Sequence, residues 1–405
     1  AFRLTQSVDL VRLQSALDQV IARHRILRST YQSRQQKVVQ VISSESSYQV
    51  EQITAQPGEA LETAQREARR PFDLCEGPLV RLVHIQEQPR GETLLLLVIH
   101  HILADETSLA VLWRQLADAY TGETSQTQAD IQFDDFVYWQ ADQGDPSRER
   151  ELEYWRRRLD PLPDTLILPF EKPGPGGGRQ PGRLLSKRLA SDLRSSIPKL
   201  AGTTSSTPFI VLAFAFRLLL ERYLPGQRLA FATPVSTRSH PSTVDMIGYF
   251  LNSMVITTSI DEGQPAREAL RSFAQELIEL LGHVSVPFHA LAEALLPPRQ
   301  PDRHPIYQVM FVHKRQQDSV MLGNAHLEPL ELDLRESKFD LTLFVSEGAD
   351  RLDLAVEYRE DRFDQVWIEQ LMGHYETLLA GLVTDPNRPT AAIPMLTSAE
   401  EQQLT

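Results

Sequence analysis

The chain has 405 residues, 41% of them hydrophobic and 23% charged, with a formal net charge of −13. That length exceeds what one hydrophobic core usually supports, so two domains of roughly 200 residues are expected, and the composition excludes collagen-like and disordered chains. The acidic balance disfavours nucleic acid, which is bound through clustered Lys and Arg. In chain order, Val8 to His24 carries apolar residues at helical spacing, with Asp9 at its start. Strand-like runs follow at Val38 to Ser43 and Tyr48 to Ile53, then a helix over about Gly58 to Arg70 that Pro71 ends. The lone Cys75 excludes an internal disulfide, suits a reducing cytoplasm, and reads as a small buried or half-buried side chain. A strand is expected at Leu79 to Ile85, and the apolar run Leu94 to Ile99 fits a strand buried on both faces. Ser108 to Tyr120 is an amphipathic helix with Asp105 or Thr107 at its start and Gly122 just past its end.

From Pro161 to Gly182 the composition changes, and glycines and prolines crowd into Pro173 to Pro181, which reads as a linker. Beyond it the chain restarts as strand, helix and strand at Arg183 to Leu189, Phe209 to Tyr223 and Arg228 to Pro234. The expectation is therefore two α/β halves, 1–172 and 183–405, joined by a linker at 173–182. The longest apolar runs, Leu94 to Ile99 and Ile210 to Phe216, are too short to cross a bilayer. The N-terminus lacks the basic-then-apolar order of a signal peptide, so a cytoplasmic location is expected.

Chemistry concentrates in Val98-Ile99-His100-His101-Ile102-Leu103-Ala104-Asp105-Glu106. Here a strand leads to two adjacent histidines, and an aspartate follows just before a helix. Strand alternation would send the two imidazoles to opposite faces, so at most one enters a given cleft. Histidine can accept or relay a proton near neutrality; a core histidine pair with a helix-capping aspartate explains the same residues structurally. There is no Gly-rich phosphate loop, no Cys/His zinc spacing and no G-x-S-x-G elbow, so no metal site is expected.

This stretch resembles the H-H-x-x-x-D-G motif of nonribosomal peptide synthetase condensation domains, with Glu106 in the glycine position. Further motifs of that family recur in order. Arg23-His24-Arg25-Ile26-Leu27-Arg28 is similar to R-H-x-x-L-R, and Phe133-Asp134-Asp135-Phe136-Val137-Tyr138-Trp139 to Y-x-D-F-A-x-W. Ile247-Gly248-Tyr249-Phe250-Leu251-Asn252-Ser253 resembles I-G-x-F-V-N-T, and Val286-Pro287-Phe288 resembles V-P-F. The stretch from Pro298 through Arg299 to Ile306 is similar to R-D-x-S-R-x-P-L. The family's opening S-x-A-Q-x-R element is absent, and the chain is expected to begin just after it. Val286 to Phe288 and Pro305 to Phe311 look most like the branch that takes an L-configured donor.

The resemblance implies an α/β fold, a pseudodimer of two chloramphenicol-acetyltransferase-like halves in a V shape. It implies amide formation between a donor acyl thioester and the amine of an acceptor aminoacyl thioester. Both groups would ride on carrier proteins that present phosphopantetheine, the domain itself binding no cofactor. The partners implied are those two carrier proteins and adjacent synthetase domains, with no nucleic acid and no membrane. Arg66, Arg69 and Arg70, and Arg156 to Arg158, are candidate basic patches for carriers, or solvated helix faces. His101 matches the histidine that takes a proton from the attacking amine or holds it. His100 would point away as a core residue. Asp105 would be structural, paired with an arginine of the R-H-x-x-L-R element, Arg28 being the candidate and Arg23 a second site-shaping residue. Asn252, Ser236 and Arg238 stand at strand ends, with Asn252 expected near the tunnel. Trp139 and Trp155 read as packing residues. Glu106 is expected to turn inward and restrict or redirect the reaction; the alternative is a charge at a helix end. Two further readings share the fold, a low-activity carrier-binding platform and an ester-forming acyltransferase.

Overall fold

The computed structural model describes residues 1–44, 48–89, 91–123, 131–142, 145–173, 181–295, 303–316 and 319–404, the side chains of 141, 142, 145–147 and 404 apart. The chain runs β1 (Phe2–Leu4), α1 (Leu10–Arg23), β2 (Ser29–Arg34), β3 (Lys37–Ile42), β4 (Val50–Ala55), α2 (Ala60–Ala68), β5 (Val80–Glu87) and β6 (Thr93–Ile99). It continues through α3 (Glu106–Thr121), α4 (Phe133–Asp142), α5 (Asp145–Arg158), β7 (Gly182–Arg188), α6 (Ser191–Thr203), α7 (Pro208–Tyr223), β8 (Phe231–Ser236) and β9 (Leu251–Ile256). The remainder is α8 (Ala266–Leu281), α9 (Phe288–Leu295), β10 (Val309–Arg315), β11 (Val320–Leu322), β12 (Ala325–Pro329), β13 (Leu341–Glu347), β14 (Leu352–Arg359), α10 (Gln365–Thr384) and α11 (Ser398–Leu404).

Two compact units result. The first comprises Ala1–Gly144, Ser236–Leu251 and Gln317–Leu334; the second comprises Asp145–Val235, Asn252–Gln316 and Arg335–Thr405. This departs from the expected division into 1–172 and 183–405. The reason lies in the sheet of the first unit, ordered β11-β12-β1-β6-β5-β4, which takes two strands from far along the chain. β1 pairs antiparallel with both β12 and β6, so residues 325–329 complete a sheet begun at residue 2. Residues 174–180, most of the expected linker, lie outside the described residues.

In the first unit, α1 buries Leu13, Ala16, Leu17, Val20 and Ile21, a stripe at helical spacing. The Asp9 carboxylate starts the helix by accepting from the amides of Val11 and Arg12 at 2.9 and 3.1 Å. The stripe packs with Leu112, Trp113 and Leu116 of α3 over the sheet. β6 lies between β1 and β5 with Leu94, Leu95 and Leu96 buried, as its unbroken apolar run implies. α3 ends on Gly122 at φ 82°, a left-handed cap that suits glycine.

The second unit holds a sheet ordered β7-β14-β13-β10-β8-β9, parallel across β13-β10-β8 and antiparallel from β13 to β7. α7 is apolar nearly all round and buries Ile210 to Leu220, the pattern of a helix enclosed in a core. Its buried Arg217 donates Nε to the Thr258 carbonyl at 2.9 Å and pairs with Glu221 at 2.6 Å. Among the described residues no single helix is long and apolar enough to cross a membrane.

Candidate active site

β6 stops at Ile99, and the chain turns at once. The His100 amide still donates to Leu79 at 2.9 Å, and the Leu103 amide donates back to the His100 carbonyl at 3.0 Å. Both histidines therefore sit in a turn beyond the strand, and the expected strand alternation does not orient them. The turn does separate their roles. His100 is half-buried, and its Nδ1 accepts from the Ile102 amide at 3.2 Å. Its ring meets Phe72 edge-on at 6.0 Å. His101 is exposed, and its Nδ1 lies 2.8 Å from the Ala104 carbonyl oxygen. A carbonyl only accepts, so Nδ1 carries the hydrogen. In the neutral ring the lone pair then belongs to Nε2.

The turn is held by Asp105, whose side chain is 1% exposed. Oδ1 caps α3 by accepting from the Ser108 amide at 2.7 Å and also accepts from an Arg238 guanidinium nitrogen at 3.2 Å. Oδ2 accepts from the Phe250 amide at 3.1 Å, and the Asp105 amide donates to Gly248 at 3.2 Å. Ser108 Oγ donates to the Gly248 carbonyl at 2.6 Å and accepts from the Gly248 amide at 3.1 Å and from Arg238 at 2.7 Å. Arg238 completes the knot by donating to the carbonyls of Thr243 and Met246, its guanidinium stacked 4.0 Å above the Phe250 ring. Tyr249, between the two pinned residues, meets the His101 ring perpendicularly at 5.0 Å. Gly248 leaves no room for a side chain: a Cβ there would collide with the Phe133 ring.

Arg28 is therefore not the partner of Asp105. It donates to the Ser43 carbonyl at 2.6 Å, because a short 3-10 turn, Arg25–Arg28, leaves it beside the residue that follows β3. The partner is Arg238, 133 residues further on. Arg23 lends its carbonyl to Gln132 at 3.1 Å, and its Nε has no hydrogen bond among the described residues. The rest of that motif braces α3 and α4. His24 Nε2 meets Gln115 at 2.6 Å, and Arg25 pairs with Asp134 at 2.8 Å. Burial, together with Arg23 and against the Gln115 bond, brings the His24 pKa down to about 4.

Glu106 is exposed as the first residue of α3, which favours the helix-end charge over the inward carboxylate expected for it. Ser236 is exposed and accepts from the Arg238 amide at 3.3 Å. Asn252 spends its amide on one stretch of the second unit. It donates to Val284 and Val286 at 2.9 and 2.6 Å and accepts from the Phe288 amide at 3.0 Å, tying two of the sequence motifs together. Arg299 lies outside the described residues; Arg303 pairs with Glu171 and with Asp340 in the second unit. Both basic groups face carboxylates: Arg70 meets Glu51 at 2.7 Å, Arg156 meets Glu149 at 2.7 Å, and Arg158 meets Glu276 at 2.6 Å. Trp155 is buried, donating to the His283 carbonyl at 2.8 Å, whereas Trp139 is half-exposed against Phe136. Cys75 is exposed, contrary to its expected burial, because a turn capped by the Asp73 carboxylate holds its backbone.

The two six-stranded sheets with their helices define the class, a mixed α/β fold of the chloramphenicol-acetyltransferase-like type. The family model described as the condensation domain matches residues 1–405, and the chain belongs to that family. Over its whole length it is 32% identical to one of the proteins that make up the linear gramicidin synthase of Brevibacillus parabrevis, of which it covers 8%. It is also 32% identical over 98% of its length to chondramide synthase cmdD of Chondromyces crocatus, covering 10% of that protein. The chain thus spans a tenth or less of those two relatives. The X-domain from teicoplanin biosynthesis is similar in structure, with a TM-score of 0.87 and 23% identity over 98% of this chain and 92% of that one. So is the first condensation domain of the calcium-dependent antibiotic synthetase, with a TM-score of 0.79 and 18% identity over 98% and 93%.

Proposed function

We propose that the chain catalyses amide formation between a donor acyl thioester and the α-amine of an acceptor aminoacyl thioester, each tethered by phosphopantetheine to a carrier protein. The observation that carries the reading is the His101 ring, exposed at the end of a central strand with Nδ1–H committed to Ala104. That commitment leaves Nε2 as the proton acceptor. The acceptor nitrogen attacks the donor carbonyl and gives up a proton to Nε2. The C–S bond then breaks, and the donor thiolate leaves and is protonated, so that thioester plus amine become amide plus thiol. Holding two tethered reactants together can supply roughly 7–11 kcal/mol of the barrier, and a positioned base adds about 10²–10⁴-fold. Asp105, Ser108 and Arg238 act on the turn, not on the substrate.

The test loads two carrier proteins with acyl and aminoacyl groups and follows both by intact-protein mass spectrometry. The reading predicts that the acceptor carrier gains the donor acyl mass, and that the product mild base releases from its thioester keeps the donor joined to the amino acid as an amide. A released product that base splits further into its two acids would make the chain an ester-forming acyltransferase. Carrier binding without any transfer would make it a platform.

A further inference from the structure

Tyr249 is 42% exposed, so burial alone gives little reason for an aromatic ring there. Its backbone is nonetheless fixed on both sides. The Gly248 carbonyl accepts from the Asp105 amide and from Ser108 Oγ, and the Phe250 amide donates to Asp105 Oδ2 at 3.1 Å. The Phe250 carbonyl in turn accepts from the Thr237 amide at 2.7 Å and from its hydroxyl at 3.0 Å. These bonds set where the Tyr249 Cα–Cβ bond starts, and the ring it meets is that of His101, at 5.0 Å and 87°. Perpendicular pairs at this spacing attract beyond the area they bury. The His101 ring is already tied through Nδ1 to the Ala104 carbonyl at 2.8 Å, and Tyr249 adds a second constraint on its plane. The part of Tyr249 that is covered, and after it the Asp105 carboxylate, raise its hydroxyl above its ordinary range, so it stays neutral beside the imidazole near neutral pH.

We propose that Tyr249 is a positioning residue for His101: the Asp105–Ser108 clamp presents its ring against the imidazole, which fixes the direction in which Nε2 points. On this view Asp105 reaches the reacting histidine twice, through the turn that carries His101 and through the strand end that carries Tyr249. The inference rests on the reading of His101 as the proton acceptor.

The experiment uses the full chain with Tyr249→Phe and Tyr249→Leu, and His101→Ala alongside. The first readout is the His101 Cε1–H resonance, identified by its disappearance in His101→Ala. The tyrosine ring current should shift this signal, a shift that Tyr249→Phe retains and Tyr249→Leu loses. The second is turnover with loaded carrier proteins. Tyr249→Leu should lower kcat about two- to tenfold with the KM for the acceptor carrier unchanged, while Tyr249→Phe stays at the wild-type rate. An unmoved resonance in Tyr249→Leu, or a wild-type kcat for it, overturns the proposal. So does an equal loss in both variants, which would assign the effect to the hydroxyl. Full turnover by His101→Ala would instead remove the reading underneath, leaving the ring contact to be judged by the resonance.

Discussion

Asp105 accepts from three donors, and only the Ser108 amide belongs to its own helix. The Phe250 amide and Arg238 come from a segment more than 130 residues away. Removing one partner of a buried pair strands the other charge, at about 3–5 kcal/mol. Asp105→Ala and Arg238→Met should therefore each destabilise the fold by about that amount in urea titrations. Arg28→Ala loses one bond to a backbone carbonyl and should cost about 0.5–1.5 kcal/mol. If Arg28→Ala proved as damaging as Arg238→Met, the pairing of Asp105 with Arg238 would be wrong. The motif around Asp105 was legible in the sequence, and so was its place at the start of a helix. The identity of its arginine was not, because a pairing between residues 105 and 238 leaves no local pattern. Ser108 and Tyr249 escaped for the same reason. One reads as a first-turn helix residue and the other as a variable position inside a glycine-containing motif.

Helices with a clear apolar stripe and a polar start were placed within a few residues. α1 begins after Asp9, and α3 lies between its caps Asp105 and Gly122. β2 was missed because Ser29 to Arg34 is largely polar and does not alternate. Its two-residue turn to β3 uses Gln35 and Gln36 at φ 50° and 63° instead of the glycine or asparagine that usually marks such a hairpin. Between elements, the contact that most constrains the site is Gly248 against Phe133 of α4. The Gly248→Ala methyl collides with a ring that also packs on Phe250 at 5.0 Å. Gly248→Ala should cost about 1–3 kcal/mol through overpacking, and combining it with Phe133→Leu should recover part of the loss. A melting temperature for Gly248→Ala equal to wild type would show that the loop moves aside freely.

Composition marks where a chain is irregular and cannot show that β11 and β12 return to a sheet begun at β1, so the two compact units are not the stretches 1–172 and 183–405. Each unit also encloses a histidine that burial keeps neutral: His24 in the first and His304 in the second, both lowered from about 6.5 to about 4. Between those values the folded state binds fewer protons than the unfolded chain. Stability is therefore complete above pH 6.5 and lost as the pH falls toward 4. His24, 2% exposed, accounts for on the order of 3 kcal/mol of that loss. Urea midpoints measured from pH 7.5 to 4.5 should fall, and His24→Gln should flatten the slope; an unchanged slope would mean His24 titrates normally. At the whole-molecule scale the proposed reaction depends on the imidazole after β6 taking the proton during bond formation. Its most direct test is the single-turnover rate of amide formation by His101→Ala between loaded carrier proteins, with the melting curve taken on the same sample. The expected rate is at least about a hundredfold below wild type with melting unchanged; a wild-type rate at unchanged stability would show that His101 does not take the proton.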